Sequence, residues 1–390
     1  IDVLPEPIVP KTVKLEPDKV NGLLGTDVSE VEMRRILLAL GFALDGDTII
    51  VPSWRGDVEH YSDIAEEIAR FYGYNNIPCT LMRGQTTSGG YTDAQKAERS
   101  IGVMARALGY SEIITYSFIS PSYYDKIRLP ADSPLRNSMK ILNPLGEDTS
   151  IMRTTILPSM LEILTRNYNY RNKAVRLYEI GKVYFARPDG MADEPKLLCL
   201  GGYGGMDFFQ LKGAVERIIA GLRISDVTFE SESENPSYHP GRCARVYAGG
   251  KLLGVLGQIH PLAAANYGVD AELYTAELQL DGMLAARGVT PVYTPLPRFP
   301  AVTRDVAIVC SADIPVAKLS ACILAAGGQY LKGCELFDVY TGAPIPAGYK
   351  SVAFSLTLRA DDQTLTDDHA EETMQSVLKA LKETFNATIR

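Results

Sequence analysis

Cysteine is scarce in this chain: Cys79, Cys199, Cys243, Cys310, Cys322 and Cys334 are scattered over 390 positions, with no CxxC and no paired spacing. Nothing here builds a disulfide framework, and a reducing, cytoplasmic compartment is expected. Histidine is scarcer, with four residues, and the grouping His239, Cys243 and His260 matches no zinc spacing. No apolar run reaches the ~18 residues of a membrane span, and the opening IDVLPEPIVPK has no basic stretch followed by an apolar one. Neither insertion nor export is therefore expected. Positive charge is also lacking: 39 Lys and Arg against 47 Asp and Glu leave a net charge of -8. That argues against a surface made throughout for nucleic acid while leaving room for a local basic patch. Gly201, Gly202, Gly204 and Gly205 precede a helix near Phe208, but with no GxGxxG register and no GKS or GKT ending a loop role is expected.

What is present reads as ordinary globular protein, 46% hydrophobic and 22% charged, with length for two to three domains. It begins at Ile1, so a piece of a longer chain is expected. The stretch from Ser53 to Pro78, SWRGDVEHYSDIAEEIARFYGYNNIP, concentrates the chemistry. Apolar Ile64, Ile68 and Phe71 or Tyr72 imply a helix from about Ser62 to Tyr72, with Ser62 as N-cap and Gly73 past its end. Asp63, Glu66 and Glu67 then share one side of the first turns, and Asp57 lies on the loop before them. Four carboxylates so placed suit a hard divalent cation, magnesium or calcium. The same acids also suit a solvated first turn favoured by the helix dipole, with Arg70 pairing to Glu66.

Taken in order, residues 1–78 form a small module of two or three helices and a short sheet, resembling winged-helix modules. Its second helix, VSEVEMRRILLALGF, turns Val31, Ile36, Leu37 and Leu40 inward. Residues 79–91 read as a linker, polar and glycine-rich. From about 92 to 290 helices alternate with mostly antiparallel strands, helices on one side, an α+β domain whose Gly249–Gly250 makes a tight hairpin. Residues 297–390 run βαββαβ, the ferredoxin-like pattern, with Thr366 capping a long last helix. There nine Lys or Arg face eleven Asp or Glu. Arg298, Arg304, Lys332, Lys350 and Arg359 are the basic residues able to line a sheet face or loop, with solvated surface charge as the plainer reading. Phe299, Phe337, Tyr340 and Tyr349 are possible stacking platforms, though apolar neighbours favour a core role.

Several segments, in this order, resemble the bacterial phenylalanyl-tRNA synthetase beta-subunit family. They are PSWRGDVEHYSDIAEEIARFYGYNNIP; RTTILPSMLEILTRNYN with VRLYEIGKVY; DFFQLKGAVERII with SYHPGRCARVYAGGKLLGVLGQIHP; and RFPAVTRDVAIV with CELFDVYTG and LTDDHAEETM. The resemblance covers essentially the whole chain, as the C-terminal half to two-thirds of such a subunit. It implies a magnesium-binding first module, with the ligand pattern falling on Asp57, Asp63, Glu66 and Glu67 and a structural ion near the contact with the alpha subunit. It implies a class II synthetase-like core without its active site, because Lys182, Ala186, Asp281 and Gly282 stand where the second and third class II motifs place phosphate-holding arginines. It further implies a ferredoxin-fold anticodon-binding domain for tRNA-Phe and an α2β2 ligase joining phenylalanine to its tRNA with ATP converted to AMP and pyrophosphate. No editing module is expected in this piece. Two rivals remain: a free-standing RNA-binding or scaffold paralogue, and a magnesium-dependent phosphate enzyme, which lacks a nearby general base and a phosphate cradle.

Overall fold

A computed structural model describes Val3 and the residues from Val9 to Arg390. The chain divides into two compact units, Ile1–Thr92 and Asp93–Arg390. The first runs β1 (Thr12–Lys14), α1 (Pro17–Leu24), α2 (Glu30–Ala39), β2 (Ala43–Asp45), β3 (Thr48–Ile50) and α3 (Tyr61–Tyr72). Its strands form an antiparallel sheet in the order β1-β3-β2. The core joins Val13, Val20, Met33, Ile36, Ile49, Ile64 and Ile68. In α2 the inward face is Met33, Ile36 and Leu37, whereas Val31 is 79% exposed, contrary to the expected face. Helix α3 also starts earlier than expected. His60, not Ser62, is its cap, because the Asp63 carboxylate reaches back to the His60 amide and closes a capping box. Gly73, at φ 96°, ends it in a conformation that costs an L side chain dearly.

The second unit begins with α4 (Asp93–Ala107), β4 (Ser111–Glu112), β5 (Phe118–Ile119), α5 (Ser122–Lys126), β6 (Ile151–Met152), α6 (Leu157–Asn169), β7 (Val175–Lys182), β8 (Phe185–Ala186) and β9 (Ala192–Asp193). It continues with β10 (Lys196–Tyr203), α7 (Phe208–Gly221), β11 (Val227–Ser231), β12 (Tyr238–Ala248), β13 (Lys251–Ile259), α8 (Pro261–Asn266), β14 (Tyr274–Gln279) and α9 (Leu280–Ala285). Seven strands make one sheet, ordered β11-β12-β13-β14-β10-β7-β4, antiparallel except at the β4–β7 edge. Helices cover both faces rather than the expected one. Leu198 and Leu200 of β10 join α4 and α7 in one cluster, while Leu197 and Cys199 join α6 and α8 in another. The unbroken apolar run LLCL is the signature of a strand buried on both sides.

A buried charge network ties the centre of this domain. Arg153 and Glu179 are 2% and 3% exposed and pair at 2.9 Å. The Arg153 guanidinium also donates to the Thr115 hydroxyl at 2.7 Å and to the Lys182 carbonyl at 2.9 Å, and Thr115 donates to Glu179 at 2.7 Å. A Cβ at position 181 would overlap Arg153 and Glu179, so Gly181 in β7 is what lets the pair lie flat against the strand.

The last stretch runs β15 (Val302–Ser311), α10 (Val316–Ala326), β16 (Leu331–Tyr340), β17 (Tyr349–Leu358), α11 (Asp367–Phe385) and β18 (Thr388–Ile389). The antiparallel sheet, ordered β16-β17-β15-β18, is the ferredoxin-like arrangement. Val352, Phe354, Leu356 and Leu358 of β17 face the helices and Ser351, Ala353, Ser355 and Thr357 the other side, so period-two alternation sets two unlike faces. Thr366 caps α11 as expected.

Removing one partner of the central pair strands the other charge in the core, so Glu179→Ala is expected to cost on the order of 3–5 kcal/mol in chemical denaturation. The double variant Arg153→Met/Glu179→Leu should cost clearly less than the two single changes added together. Strict additivity would show that the two side chains do not act as a pair.

Candidate functional site

Three places gather the chemistry marked in the sequence. In the first, Arg55 on the loop before α3 forms a two-pronged pair with Asp57, Nε to Oδ1 at 2.9 Å and Nη2 to Oδ2 at 2.7 Å. The same Nη2 reaches Glu67 Oε1 at 2.8 Å, so one guanidinium bridges the two acids. Glu67 is only 4% exposed and also pairs with Arg70, which takes this acid rather than the expected Glu66. Burial pushes the Glu67 carboxyl up, but the hydrogen bonds from Arg55 and Arg70 outweigh it and hold the group below its ordinary value. Arg55 likewise pulls Asp57 down to about 2. Asp63 accepts the Glu59 and His60 amides, each at 2.8 Å, and those bonds lower it too. Glu66 is exposed and makes no pair among the described residues.

The four carboxylates are thus near in sequence but differently employed. Oxygen donors of this kind suit magnesium. Among the described residues, however, no three acids, histidines or cysteines come together in a group able to hold a metal. The positive charge between Asp57 and Glu67 is Arg55.

In the second place, the ferredoxin-like sheet, three of the five expected basic residues are tied internally by hydrogen bonds, and a fourth, Arg359, has a buried Nε with no hydrogen-bond partner among the described residues. Arg304 pairs with Asp367 at 3.0 Å and Lys332 with Asp361 at 2.7 Å, with Arg359 3.9 Å from the same acid. Lys350 donates to the Ala312 and Ile314 carbonyls. Register opposes Arg304 to Leu356 and Lys350 to Cys310, which puts both on the helix-bearing side. Arg298 is exposed and makes no pair among the described residues. The open face carries a different set. Tyr340 lies opposite Ser351 and Tyr349 opposite Ser311, with Arg390 5.6 Å from the Tyr340 ring centre. Phe337, Tyr340 and Tyr349 are 58%, 39% and 49% exposed, contrary to the expected core role, while Phe299 is half-buried. Asp305, Glu335 and Asp338 share this face by register. The alternation of β17 was the available signal for it; Arg390 sits at the chain end and had none.

The third place is a cleft of about 760 Å³ on the α6 side of the central sheet, between β7–β8 and β14–α9. Val183 and Phe185 line one wall, and Glu277, Gln279 and Asp281 another. Its two cations are both paired, Lys196 to Glu98 at 2.7 Å and Arg245 to the buried Glu232. Glu277 accepts the Ile156 amide at 2.6 Å and the Thr155 hydroxyl at 2.8 Å, anchoring the start of α6. Burial pushes its carboxyl above the usual range, although those two bonds pull the other way. Lys182, at the end of β7, pairs with Glu194 at 2.7 Å and is not free for a ligand.

Comparison with known proteins places these elements in a common setting. The description "tRNA synthetase B5 domain" matches residues 13–74, "Phenylalanyl tRNA synthetase beta chain CLM domain" residues 77–280, and "Ferredoxin-fold anticodon binding domain" residues 297–390. The phenylalanine–tRNA ligase beta subunit of Clostridium tetani is 41% identical over 396 residues, covering 100% of this chain and 50% of that protein. That of Moorella thermoacetica is 41% identical over 399 residues, covering 98% of this chain and 49% of that protein. The chain spans about half the length of the curated relatives it matches. A solved pyrrolysyl-tRNA synthetase from Desulfitobacterium hafniense aligns at TM-score 0.42 and 14% identity, covering 66% of this chain and 88% of that one.

Because Glu67 titrates below its ordinary value of 4.5, its pairing stabilises the fold fully above that pH and the contribution is lost as pH falls through the lowered value. Thermal melts across acid pH should show this loss in the wild-type chain and a flatter profile in Glu67→Gln. Arg55→Met, which leaves Glu67 with Arg70 alone, should cost about 2 kcal/mol at neutral pH. Unchanged melting of Arg55→Met would remove the bridge from the account.

Proposed function

We propose, on the premise that this chain belongs to the phenylalanyl-tRNA synthetase beta-chain family, that it is the non-catalytic, RNA-binding part of a phenylalanine–tRNA ligase. In this reading it supports a catalytic alpha subunit in an α2β2 cytoplasmic enzyme that joins phenylalanine to tRNA-Phe with ATP. The observation that carries the reading is the pairing of both cations in the central cleft. Adenylate formation develops charge on phosphate, and fixed, unpaired donors must meet it. The cleft lies between the strands whose sequences resemble the second and third class II motifs, yet Arg153 behind it is buried against Glu179. The chemistry then belongs to the partner. Between edge strand β4 and the first residue of β5, Ile114, Tyr116 and Phe118 alternate at 91%, 83% and 45% exposure. An apolar row beside an unpaired sheet edge is the kind of surface that another subunit covers.

Among the described residues no helix is long and apolar enough to cross a membrane. For tRNA, the open face of the ferredoxin-like sheet suits unpaired bases. Tyr340 and Tyr349 offer ring faces, Arg390 a planar cation, and Asp338 and Glu335 accept from base amino groups. With so few free cations there, stacking and base-edge hydrogen bonds would dominate over phosphate attraction. Measured at fixed salt on the assembled enzyme, Tyr340→Ala and Arg390→Ala should each weaken tRNA binding about tenfold. Lys332→Ala and Arg304→Ala, whose side chains are held by Asp361 and Asp367, should change it less than about twofold. The reverse pattern would return the contact to the basic edge.

Magnesium, if bound, would be held by Asp57, Asp63, Glu66 and Glu67 and would supply the charge that Arg55 supplies between two of them. Its role would be structural. Magnesium titration should then raise the melting temperature of the wild-type chain and leave Asp57→Asn/Glu66→Gln unmoved. A chain whose melting ignores magnesium assigns the neutralising role to Arg55 alone.

A further inference from the structure

The central cleft has a feature that adenylate chemistry does not explain. Glu277 stands on its wall with hydrogen bonds from neutral groups only. Its Oε1 accepts the Ile156 amide at 2.6 Å, and the single Thr155 hydroxyl lies 2.8 Å from Oε1 and 2.9 Å from Oε2. The Leu157 amide adds a third neutral donor, and against the four acceptor positions of a carboxylate these three donors leave acceptor capacity on Glu277. Two residues along the same strand is Gln279, and beyond it Asp281, exposed on the cleft rim and without a pair among the described residues. The lining is otherwise apolar at Val183 and Phe185 and, on β13, at Leu252 and at Val255, the cross-strand neighbour of Glu277.

We infer that this cleft binds a small organic monocation, an amine on an apolar body, with its ammonium donating to Glu277 and the body packed against Phe185 and Val255. The size suits a compact ligand, since about 760 Å³ falls within the range of small-molecule sites. The charges select among ligand classes. A phosphate ester would meet Glu277 and Asp281 while Lys196 and Arg245 are already held by Glu98 and Glu232. A neutral hydrocarbon would cover the Glu277 carboxyl and leave its remaining acceptor unsatisfied. A zwitterionic amino acid would bring a carboxylate for which no unpaired cation lines the cleft. Only the ammonium both fills the acceptor and complements the local charge. This site is separate from the tRNA-facing sheet, and the inference does not depend on that reading.

The test is isothermal titration of the 390-residue chain at neutral pH with phenethylamine, 2-phenylethanol and phenylalanine. Phenethylamine should bind at least about tenfold more tightly than 2-phenylethanol, as loss of one charge-assisted hydrogen bond predicts, and more tightly than phenylalanine. Glu277→Gln, which keeps an acceptor for the Ile156 amide, should lower amine affinity by a similar factor and erase the preference over the alcohol. Asp281→Asn, at an exposed position, should lower it about twofold. Should Glu277→Gln fail to fold, the amine-to-alcohol ratio of the wild-type chain decides alone. Equal affinity for amine and alcohol, equal affinity for phenylalanine, or unchanged amine binding in folded Glu277→Gln would overturn the assignment.

Discussion

The buried pair of Arg153 and Glu179 holds together the seven-stranded sheet domain of the second unit. It joins β7, the segment leading to α6, and Thr115 beyond the β4 edge, three pieces of chain far apart in sequence. A charge in the core is tolerated only when its partner and its remaining donors are all met, and here a carboxylate, a hydroxyl and a backbone carbonyl meet them. Gly181 is the concession that makes room. The consequence is functional as well as structural. A guanidinium fixed in this way is a strut, and it cannot turn to hold a phosphate.

The same use of arginine recurs. Arg55 stitches the loop before α3 to the buried face of that helix through Asp57 and Glu67. Arg304 fastens β15 to the start of α11 through Asp367. In each place an arginine is consumed by the fold, and for Arg304 this takes up a cation that the sequence offers to RNA. What remains open to partners is of another kind: the apolar row Ile114, Tyr116 and Phe118, the aromatic rings of the open sheet face, and the cleft-lining carboxyl of Glu277.

Much of this is legible in the sequence. The ferredoxin-like order followed from alternation in β17 and from the cap and apolar spacing of α11, because these signals are local. The Gly249–Gly250 hairpin was legible for the same reason, and both glycines do take positive φ. The misreadings share a cause. Whether Arg70 meets Glu66 or Glu67 depends on Arg55 arriving from another segment, and both acids lie within its reach on the helix. Spacing alone turns Val31 inward, but the core lies on the side of Met33. The role of Arg153 left no trace in local pattern, since its partner is 26 residues away. Tertiary choices among locally equivalent residues are what a single sequence withholds.

The central claim is that both cations of the central cleft are tied up, so that adenylate chemistry does not take place there. Phenylalanine-dependent ATP–pyrophosphate exchange tests it most directly, with this chain alone and mixed with the matching alpha subunit. The account predicts no exchange by the chain alone, and exchange in the mixture where the two proteins co-elute. Exchange by the chain alone would contradict it, because Lys196 or Arg245 would then have to leave its acid to hold the nucleotide.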